Sequence, residues 1–285
     1  MPATHAVGAR TNRRPQPGLD RSTDGYFSSV AEGWVENYRG SASFRSRLAV
    51  VGAAISDVLG AVPASPDGPG AGGGATVLDF GGGPGVFSAV CSSRARTVID
   101  LDPSLEMLRA GASRAGLLAE LADCPVATVN DRVARVAGSL DSVTARCAGR
   151  FDLVLAIAVL EYLSDPAWTV AALGRLLRPD GALLLTVPRP ASVFRRLERA
   201  TEPAAAWSAR HSSNERVAGR GHTALRPYGD AVPWREDLAR AGLVVEEIRP
   251  IPLGDRGWRR RVSPNDLVVL RRRRLPTARA GEPRA

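Results

Sequence analysis

Short apolar runs alternate with helical patterns between residues 76 and 187, and this alternation constrains the fold more than any other feature of the chain. The runs are typical of buried strands and read TVLDF at 76, TVIDL at 97, RVARVA at 132, FDLVLAIA at 151 and GALLLTV at 181. Candidate helices lie near 85–94, 104–121, 141–147 and 166–177. Right-handed crossovers of this length predict parallel strands with helices on both faces of a sheet.

The rest of the chain divides by composition. Two later runs, LVVEEI at 243 and DLVVL at 266, complete an α/β fold built on a doubly wound, mostly parallel seven-stranded sheet. Apolar residues at helical spacing predict two helices before the sheet. The predicted bounds are a disordered tail at 1–23, N-terminal helices at 24–60, a Pro/Gly linker at 61–75, a main domain at 76–271 with an insertion at 188–230 after the fifth strand, and an Arg-rich tail at 272–285.

The most informative segment, VLDFGGGPG, contains the end of the first predicted strand. It places Asp79 at the strand end and then Gly81, Gly83 and Gly85 in a tight turn that leads into a helix. Glycines in such a turn let the backbone approach a ligand closely. Asp102 ends the second predicted strand, where a carboxylate can accept hydrogen bonds from both hydroxyls of a ribose. In a doubly wound sheet these neighbouring strand ends form one ligand site.

Phosphate-binding interpretations of this turn are weak. A dinucleotide fold requires G-x-G-x-x-G, but counted from Gly81 the third glycine position holds Val86. The phosphate loop G-x-x-x-x-G-K-[ST] needs a lysine, and the chain contains none. The residues therefore predict a ligand that has a ribose, and they contain no recognised phosphate-binding motif.

Four segments resemble successive motifs of class I S-adenosylmethionine methyltransferases: D-x-G-x-G-x-G, the second-strand Asp102 followed by P-S-x-x-M-L, FDLVLAIAVLEYLSDP, and LRPDGALLLTVP. The resemblance covers residues 76 to about 190. It implies the Rossmann-like fold of that family and S-adenosylmethionine as cofactor. It further implies that the three glycines pass the methionine part of the cofactor, that Asp79 organises its ammonium end and that Asp102 holds the ribose. Pro103 and Met107 would flank the adenine.

Two further segments complete the implied cofactor site. The family often has an acidic residue after the third strand to meet the adenine amino group, whereas this chain reads AGSLDSV there. Ser139 and Leu140 are expected to make that contact instead. The segment after the fourth strand begins at Ala156, is apolar, and usually faces the reacting methyl group in this family.

The same segment bears on the methyl acceptor. It lacks the Asn or Asp followed by Pro-Pro and an aromatic residue that methyltransferases of DNA bases use, and the paired-glutamate loop of protein arginine methyltransferases is missing. We therefore expect a small molecule, methylated at O or N in secondary metabolism or cofactor biosynthesis.

Aromatic residues are expected to form a lid over the site. DGYFSSVAEGWVENY resembles the leader helix of small-molecule members, which implies that Tyr26, Trp34 and Tyr38 cover the cofactor or the acceptor. Tyr162, after the fourth strand, is expected to join them. His222, in the insertion, is the candidate general base for a hydroxyl acceptor, because a neutral imidazole can take a proton near neutral pH.

Two rival functions remain open. The formal charge of +9 comes wholly from arginine, with a run at 271–274, so an RNA methyltransferase that uses the Arg-rich ends is one alternative. A protein that binds S-adenosylmethionine without catalysis is the other. Nucleic acid is the less favoured partner, because coding bias explains arginine to the exclusion of lysine more simply. Nothing in the sequence indicates an oligomeric state.

Composition also bears on location and metals. No apolar run is long enough to span a membrane, and none follows the N-terminal arginines as in a secretory signal, so we expect a cytoplasmic protein. Cys91, Cys124 and Cys147 are odd in number and widely spaced, which predicts neither a disulfide framework nor a metal site.

Overall fold

The computed structural model describes residues 21–62, 74–189 and 238–273. Within these ranges the strands are β1 (Thr76–Phe80), β2 (Thr97–Asp102), β3 (Val133–Ala137), β4 (Phe151–Ala156), β5 (Leu177–Pro188), β6 (Leu243–Ile251) and β7 (Asn265–Arg272). They form one seven-stranded sheet in the order β3-β2-β1-β4-β5-β7-β6. The first five strands run parallel, whereas β7 is antiparallel to both of its neighbours. The predicted doubly wound, mostly parallel sheet is confirmed.

Helices pack on both faces of this sheet. They are α1 (Arg21–Trp34), α2 (Asn37–Gly40), α3 (Ala42–Gly60), α4 (Val86–Ser92), α5 (Leu105–Ser113), α6 (Ala115–Leu121), α7 (Val126–Arg132), α8 (Asp141–Thr144) and α9 (Pro166–Leu176). None of the helices in the described ranges is both long and apolar enough to cross a bilayer.

The strands are apolar on both faces, because each face meets its own set of helices. In β1, Val77 lies in a core cluster shared with α3 and α4, while its neighbour Leu78 lies in a second cluster shared with α9. Both side chains are fully buried. Strands covered in this way are continuous hydrophobic runs rather than alternating ones, which is why the apolar runs located them well.

Some helix bounds differ from the sequence prediction. Helix α1 begins at Arg21 rather than Asp24, so the predicted tail is three residues too long, and three helices rather than two precede the sheet. The helix predicted at 104–121 is interrupted at Arg114, whose backbone leaves helical geometry (φ −108°, ψ 23°). Helix α7 was not predicted. It begins after Pro125 and contributes only Val129 to the buried core, so its sequence carries a weak periodic signal.

Several sequence predictions lie outside the described residues. These are the N-terminal tail up to residue 20, most of the linker (63–73), the insertion from residue 190 onward with His222, and the C-terminal tail from residue 274.

The Arg-rich run begins inside the sheet rather than after it. Strand β7 ends at Arg272, one residue beyond the predicted end of the domain. Arg271 donates from Nε to Glu246 Oε2 at 2.6 Å. Arg272 donates to the carbonyl oxygens of Arg175 (3.2 Å) and Leu177, at the end of α9 and the start of β5. Half of the run at 271–274 therefore attaches the last strand to its neighbours.

The strand order reverses between β1 and β4, which pair directly through Val77 and Leu153. In open α/β sheets the ligand crevice lies outside the carboxyl ends of the strands at such a point. Helix α5 closes one side of this crevice, because Gly111 packs against the turn that follows β1. A methyl group at Gly111 would lie 2.1 Å from the Pro84 carbonyl oxygen.

This contact predicts that Gly111→Ala destabilises the fold. The obstacle is a backbone oxygen, which cannot rotate away, and overpacking of this kind costs about 1–3 kcal/mol. Gly116→Ala is the matched control, since a methyl group there would meet nothing within 4 Å. Urea unfolding should show a loss of stability in the first variant and none in the second. Equal stability of the two variants would contradict the proposed packing.

Candidate active site

The turn after β1 adopts a backbone that glycine alone tolerates well. Gly81, Gly83 and Gly85 have φ values of 68°, 60° and 81°, in the left-handed region. Gly81 also lacks room for a side chain, because a methyl group there would lie 2.6 Å from Cγ2 of Val159. The three glycines that the sequence singled out are therefore required by the shape of the turn.

Asp102 joins this turn to the second strand. Its Oδ2 accepts a hydrogen bond from Gly83 N at 2.9 Å, and its Oδ1 accepts one from Ser104 N at 2.8 Å. Ser104 in turn begins α5, since its Oγ accepts from Met107 N at 3.2 Å. The carboxylate predicted to hold a ribose thus also sets the distance between the glycine turn and α5.

A cleft of about 740 Å³, counted with the part that opens to solvent, lies over this turn. The structure brings nine of the predicted site residues into its wall: Trp34, Tyr38, Asp79, Gly81, Gly83, Asp102, Pro103, Met107 and Tyr162. These residues come from α1 and α2, the end of β1 and the turn after it, the end of β2, the start of α5, and the segment after β4, so distant parts of the chain meet in one cavity.

Five other predicted residues do not line the cleft. Gly85 begins α4, and Tyr26 packs edge-on against Phe27 with ring centroids 5.3 Å apart. The remaining three lie near the ends of β3 and β4: Ser139 is exposed, while Leu140 and Ala156 are buried in the core beneath the site. Their predicted contacts with the cofactor therefore remain predictions.

Aromatic side chains close one end of the cleft. Phe27, on α1, packs edge-on against Trp34 at 5.5 Å and against Tyr162 at 5.1 Å. Tyr162 belongs to a short 3-10 turn at Leu160–Tyr162 that follows β4. Phe27 was not predicted as a site residue, although it adjoins Tyr26 in the leader motif. It connects the N-terminal helices to the segment that follows the fourth strand.

The sequence also matches known proteins. The family model described as "Methyltransferase domain" matches residues 52–248. The chain belongs to the class I S-adenosylmethionine-dependent methyltransferases. Their methyl donor, S-adenosylmethionine, is the cofactor of this chain.

Curated relatives match the methyltransferase over a shorter segment. A "Ubiquinone biosynthesis O-methyltransferase" of Aromatoleum aromaticum is 32% identical over 113 residues, which are 40% of this chain and 44% of the relative. An uncharacterized methyltransferase of Mycobacterium sp. is 32% identical over 115 residues, 40% of this chain and 39% of the relative. The matched segment thus spans less than half the length of each of these relatives.

Solved structures share the fold of the methyltransferase. The magnesium protoporphyrin IX methyltransferase of Synechocystis has a TM-score of 0.57 at 14% identity, with 88% of this chain and 98% of that chain covered. The 1,6-didemethyltoxoflavin-N1-methyltransferase of Burkholderia thailandensis has a TM-score of 0.53 at 17% identity, with 95% and 99% covered. At this identity the likeness extends to the fold alone.

The cleft of the methyltransferase fits a cofactor that carries an amino-acid group. Asp79 supplies a buried carboxyl group, 1% exposed, which accepts a hydrogen bond from Ser88 Oγ at 2.8 Å. Arg47, on α3, is the cation that lines the cleft within the described residues. A carboxyl group and a guanidinium in one cavity match the ammonium and carboxylate groups of an amino acid.

Arg47 was missed in the sequence prediction, although a signal was present. It lies three residues after Phe44 and four before Val51, on the apolar face of a predicted helix, where a charged residue needs a specific reason. Its guanidinium carbon lies 5.0 Å from the centre of the Phe44 ring. It also hydrogen-bonds with Tyr38, and this contact opposes the rise that burial produces in the pKa of Tyr38.

Ala158 has a strained backbone where it lines the cleft. It follows β4 and has a φ of 56°, a conformation that costs an alanine about 1–3 kcal/mol. Its N–H donates to Oγ1 of the buried Thr186 on β5 at 2.7 Å, which holds this backbone in place. Ala158 lines the cleft between Ile157 and Val159. Strained backbone of this kind concentrates at functional sites.

Burial makes Asp79 a pH-sensitive group. Desolvation raises its pKa from 3.8 to about 6, and the nearby charge of Asp102 adds to this, while the hydrogen bonds from Ser88 oppose it. The folded state therefore favours the protonated carboxyl group. Its contribution to stability is fully present below the unfolded pKa, near 3.8, and is lost as the pH rises through about 6.

This predicts a pH-dependent effect of Asp79→Asn, which removes the ionisation but keeps the size of the side chain. Relative to the wild type, the variant should gain about 2–3 kcal/mol of unfolding free energy between pH 4 and pH 7. Asp131→Asn, at an exposed position, is the control and should show no such gain. Urea unfolding across this range measures the difference. A constant offset between Asp79→Asn and the wild type would contradict the raised pKa.

Proposed function

We propose that this methyltransferase transfers the methyl group of S-adenosylmethionine to an oxygen or nitrogen atom of a small organic molecule, in secondary metabolism or cofactor biosynthesis. The observation that carries the proposal is the wall of the cleft that the segment after β4 forms beside the glycine turn. Ile157, Ala158 and Val159 are apolar there, and Phe27 and Tyr162 close the cleft with aromatic rings. Such a wall suits a flat organic acceptor. The Aromatoleum relative, named as an O-methyltransferase of ubiquinone biosynthesis, supports the same acceptor class.

Different residues of the cleft would contact different parts of the cofactor. Asp102 would accept hydrogen bonds from the ribose hydroxyls, since a carboxylate offers about four acceptor positions. Gly81 and Gly83 would pass the methionine part. Asp79 would receive its ammonium group and Arg47 its carboxylate. Pro103 and Met107 would flank the adenine. Every residue named in these assignments lines the same cleft.

Catalysis by this chain is mainly a matter of alignment. The bound cofactor supplies an electrophilic methyl group on a positively charged sulfur. Held by Asp79, Arg47 and Asp102, the cofactor would supply its methyl group to the acceptor lone pair, the electron pair of the broken carbon–sulfur bond would return to sulfur, and the proton of a hydroxyl acceptor would pass to a base or to water. Holding donor and acceptor in line contributes about 7–11 kcal/mol, more than a general base, which contributes about 10²–10⁴ in rate. The apolar wall and the aromatic rings exclude water. His222 remains the candidate base for a hydroxyl acceptor.

The two rival functions gain no support from the described residues. Arg271 and Arg272, the first residues of the Arg-rich run, are engaged by Glu246 and by backbone carbonyl groups, so their contacts are explained without RNA. Both alternatives therefore serve as outcomes of the functional test.

The functional test follows a labelled methyl group. S-adenosylmethionine labelled in the methyl group is incubated with the full chain and either a small-molecule extract of the producing cells or total RNA. We expect label in the small-molecule fraction, and its loss in Asp102→Ala, because one charge-assisted hydrogen bond is worth about 1.5–3 kcal/mol. Label in RNA would establish the RNA alternative, and cofactor binding without transfer to either fraction would favour the binding protein.

The proposed role of Arg47 has its own test. Arg47→Met keeps an unbranched apolar side chain and removes the guanidinium group with its charge, so it should weaken S-adenosylhomocysteine binding by about 10- to 100-fold. Arg45→Met is the matched control, because Arg45 lies exposed on the same helix and donates to the Arg39 carbonyl oxygen, away from the cleft. Isothermal titration calorimetry measures both affinities. Equal affinities in the two variants would remove Arg47 from the site.

A further inference from the structure

Asp100 is a buried carboxyl group that the proposed function does not use. It lies on β2, directly beside Asp79 on β1 and Arg135 on β3 in the register of the sheet. The residue is 0% exposed, and neither carboxyl oxygen has a hydrogen-bond partner. A dry carboxylate without a partner is strongly disfavoured. The position therefore requires an explanation.

The side chain of Asp100 fills the space between the sheet and the glycine turn. A methyl group at Gly82 would lie 2.2 Å from Asp100 Oδ1 and 2.9 Å from Asp79 Oδ2, so both carboxyl groups converge beneath this residue. A methyl group at Gly85 would lie 2.6 Å from Asp100 Oδ2. Asp100 thus supports the turn from the side opposite the cleft.

Three carboxyl groups crowd this corner of the sheet. Asp79, Asp100 and Asp102 all lie at the ends of β1 and β2 and are each less than 10% exposed. They are not arranged as metal ligands, since no group of three or more such side chains in the described ranges could hold a metal ion. The cation on the next strand, Arg135, interacts with Asp100 through its charge alone, since neither oxygen of Asp100 has a hydrogen-bond partner and Nε and Nη2 of Arg135 have none either.

We propose that Asp100 is a positioning residue of the cofactor site, which holds a proton in the free protein and releases it when the α-ammonium group of a ligand binds beside Asp79. The proton keeps one of the three crowded carboxyl groups neutral while no ammonium group occupies the cleft. The ammonium group then takes over as the counter-charge, and Asp100 acts through Asp79 and the turn without touching the ligand.

The surroundings of Asp100 favour this proton. Burial, followed by the charges of Asp79 and Asp102, raises the pKa of Asp100 well above its usual range, and Arg135 opposes the shift. From α4, Ser88 donates to Asp79 rather than to Asp100. Because binding expels a proton, affinity for the ligand should increase with pH, by up to about tenfold per pH unit for one proton.

The test counts protons by isothermal titration calorimetry. S-adenosylhomocysteine is titrated into the full chain near neutral pH in phosphate and in Tris, whose ionisation enthalpies differ. We expect release of up to about one proton in the wild type, and no release with 5′-methylthioadenosine, which lacks the amino-acid group. Asp100→Asn should bind S-adenosylhomocysteine without release. Asp131→Asn, at an exposed position, should behave as the wild type does.

Equal release in Asp100→Asn and the wild type, or no release in the wild type, would overturn the proposal. If Asp100→Asn fails to fold, the wild type still decides at pH 8, where Asp79, whose pKa is about 6, is already ionised. There the wild type must release a proton on binding S-adenosylhomocysteine and not on binding 5′-methylthioadenosine. The inference rests on the placement of the ammonium group given under Proposed function. Failure of S-adenosylhomocysteine to bind the wild type overturns that placement, whereas binding without release overturns only the role of Asp100.

Discussion

The hydrogen bond from Gly83 N to the carboxylate of Asp102 connects the ends of two neighbouring strands, and the rest of the site depends on it. The glycine turn can take this position because Gly81 and Gly83 adopt left-handed backbone conformations. Pro84, in the same turn, then packs against Gly111 of α5, so the turn, the strand end and the helix form one rigid unit. A ligand that meets this unit finds the carboxylate of Asp102 already oriented by its hydrogen bonds to Gly83 N and Ser104 N.

The same corner concentrates negative charge in a dry environment, which opposes folding. Asp79 and Asp100 both have raised pKa values because burial penalises their ionised forms. An apolar pair would serve the core better at these positions. Carboxyl groups at these positions are explained if the chain binds a cation. Their burial destabilises the free protein, and an opposite charge in the cleft reduces this cost. Stability of the free protein and affinity for a cationic ligand are thus opposing demands on the same residues.

The wall that the segment after β4 contributes to the cleft is apolar rather than charged. The segment after β4 presents apolar side chains and the strained backbone of Ala158, which Thr186 holds through one hydrogen bond. Phe27 and Tyr162 bring the N-terminal helices against this segment. The cleft therefore has a polar side that suits the cofactor and an apolar side that suits an organic acceptor. Methyl transfer needs this division, because the donor is charged and the reaction proceeds best where water is excluded.

The sequence alone determined the sheet, the glycine turn and the two carboxylates at the ends of β1 and β2, because these depend on local rules: strand burial, left-handed backbone at Gly81 and Gly83, and the chain direction of parallel strands. The tertiary structure decided which side chains reach the cleft. Arg47 and Phe27 enter it from helices that precede the sheet, while Ser139, Leu140 and Ala156 do not line it. In the sequence, Asp100 resembles any other residue of its strand. Its burial without a hydrogen-bond partner becomes visible only in the fold, where Gly82, Asp79 and Arg135 surround it. Such contacts join residues far apart in the chain, and only their packing in three dimensions specifies them.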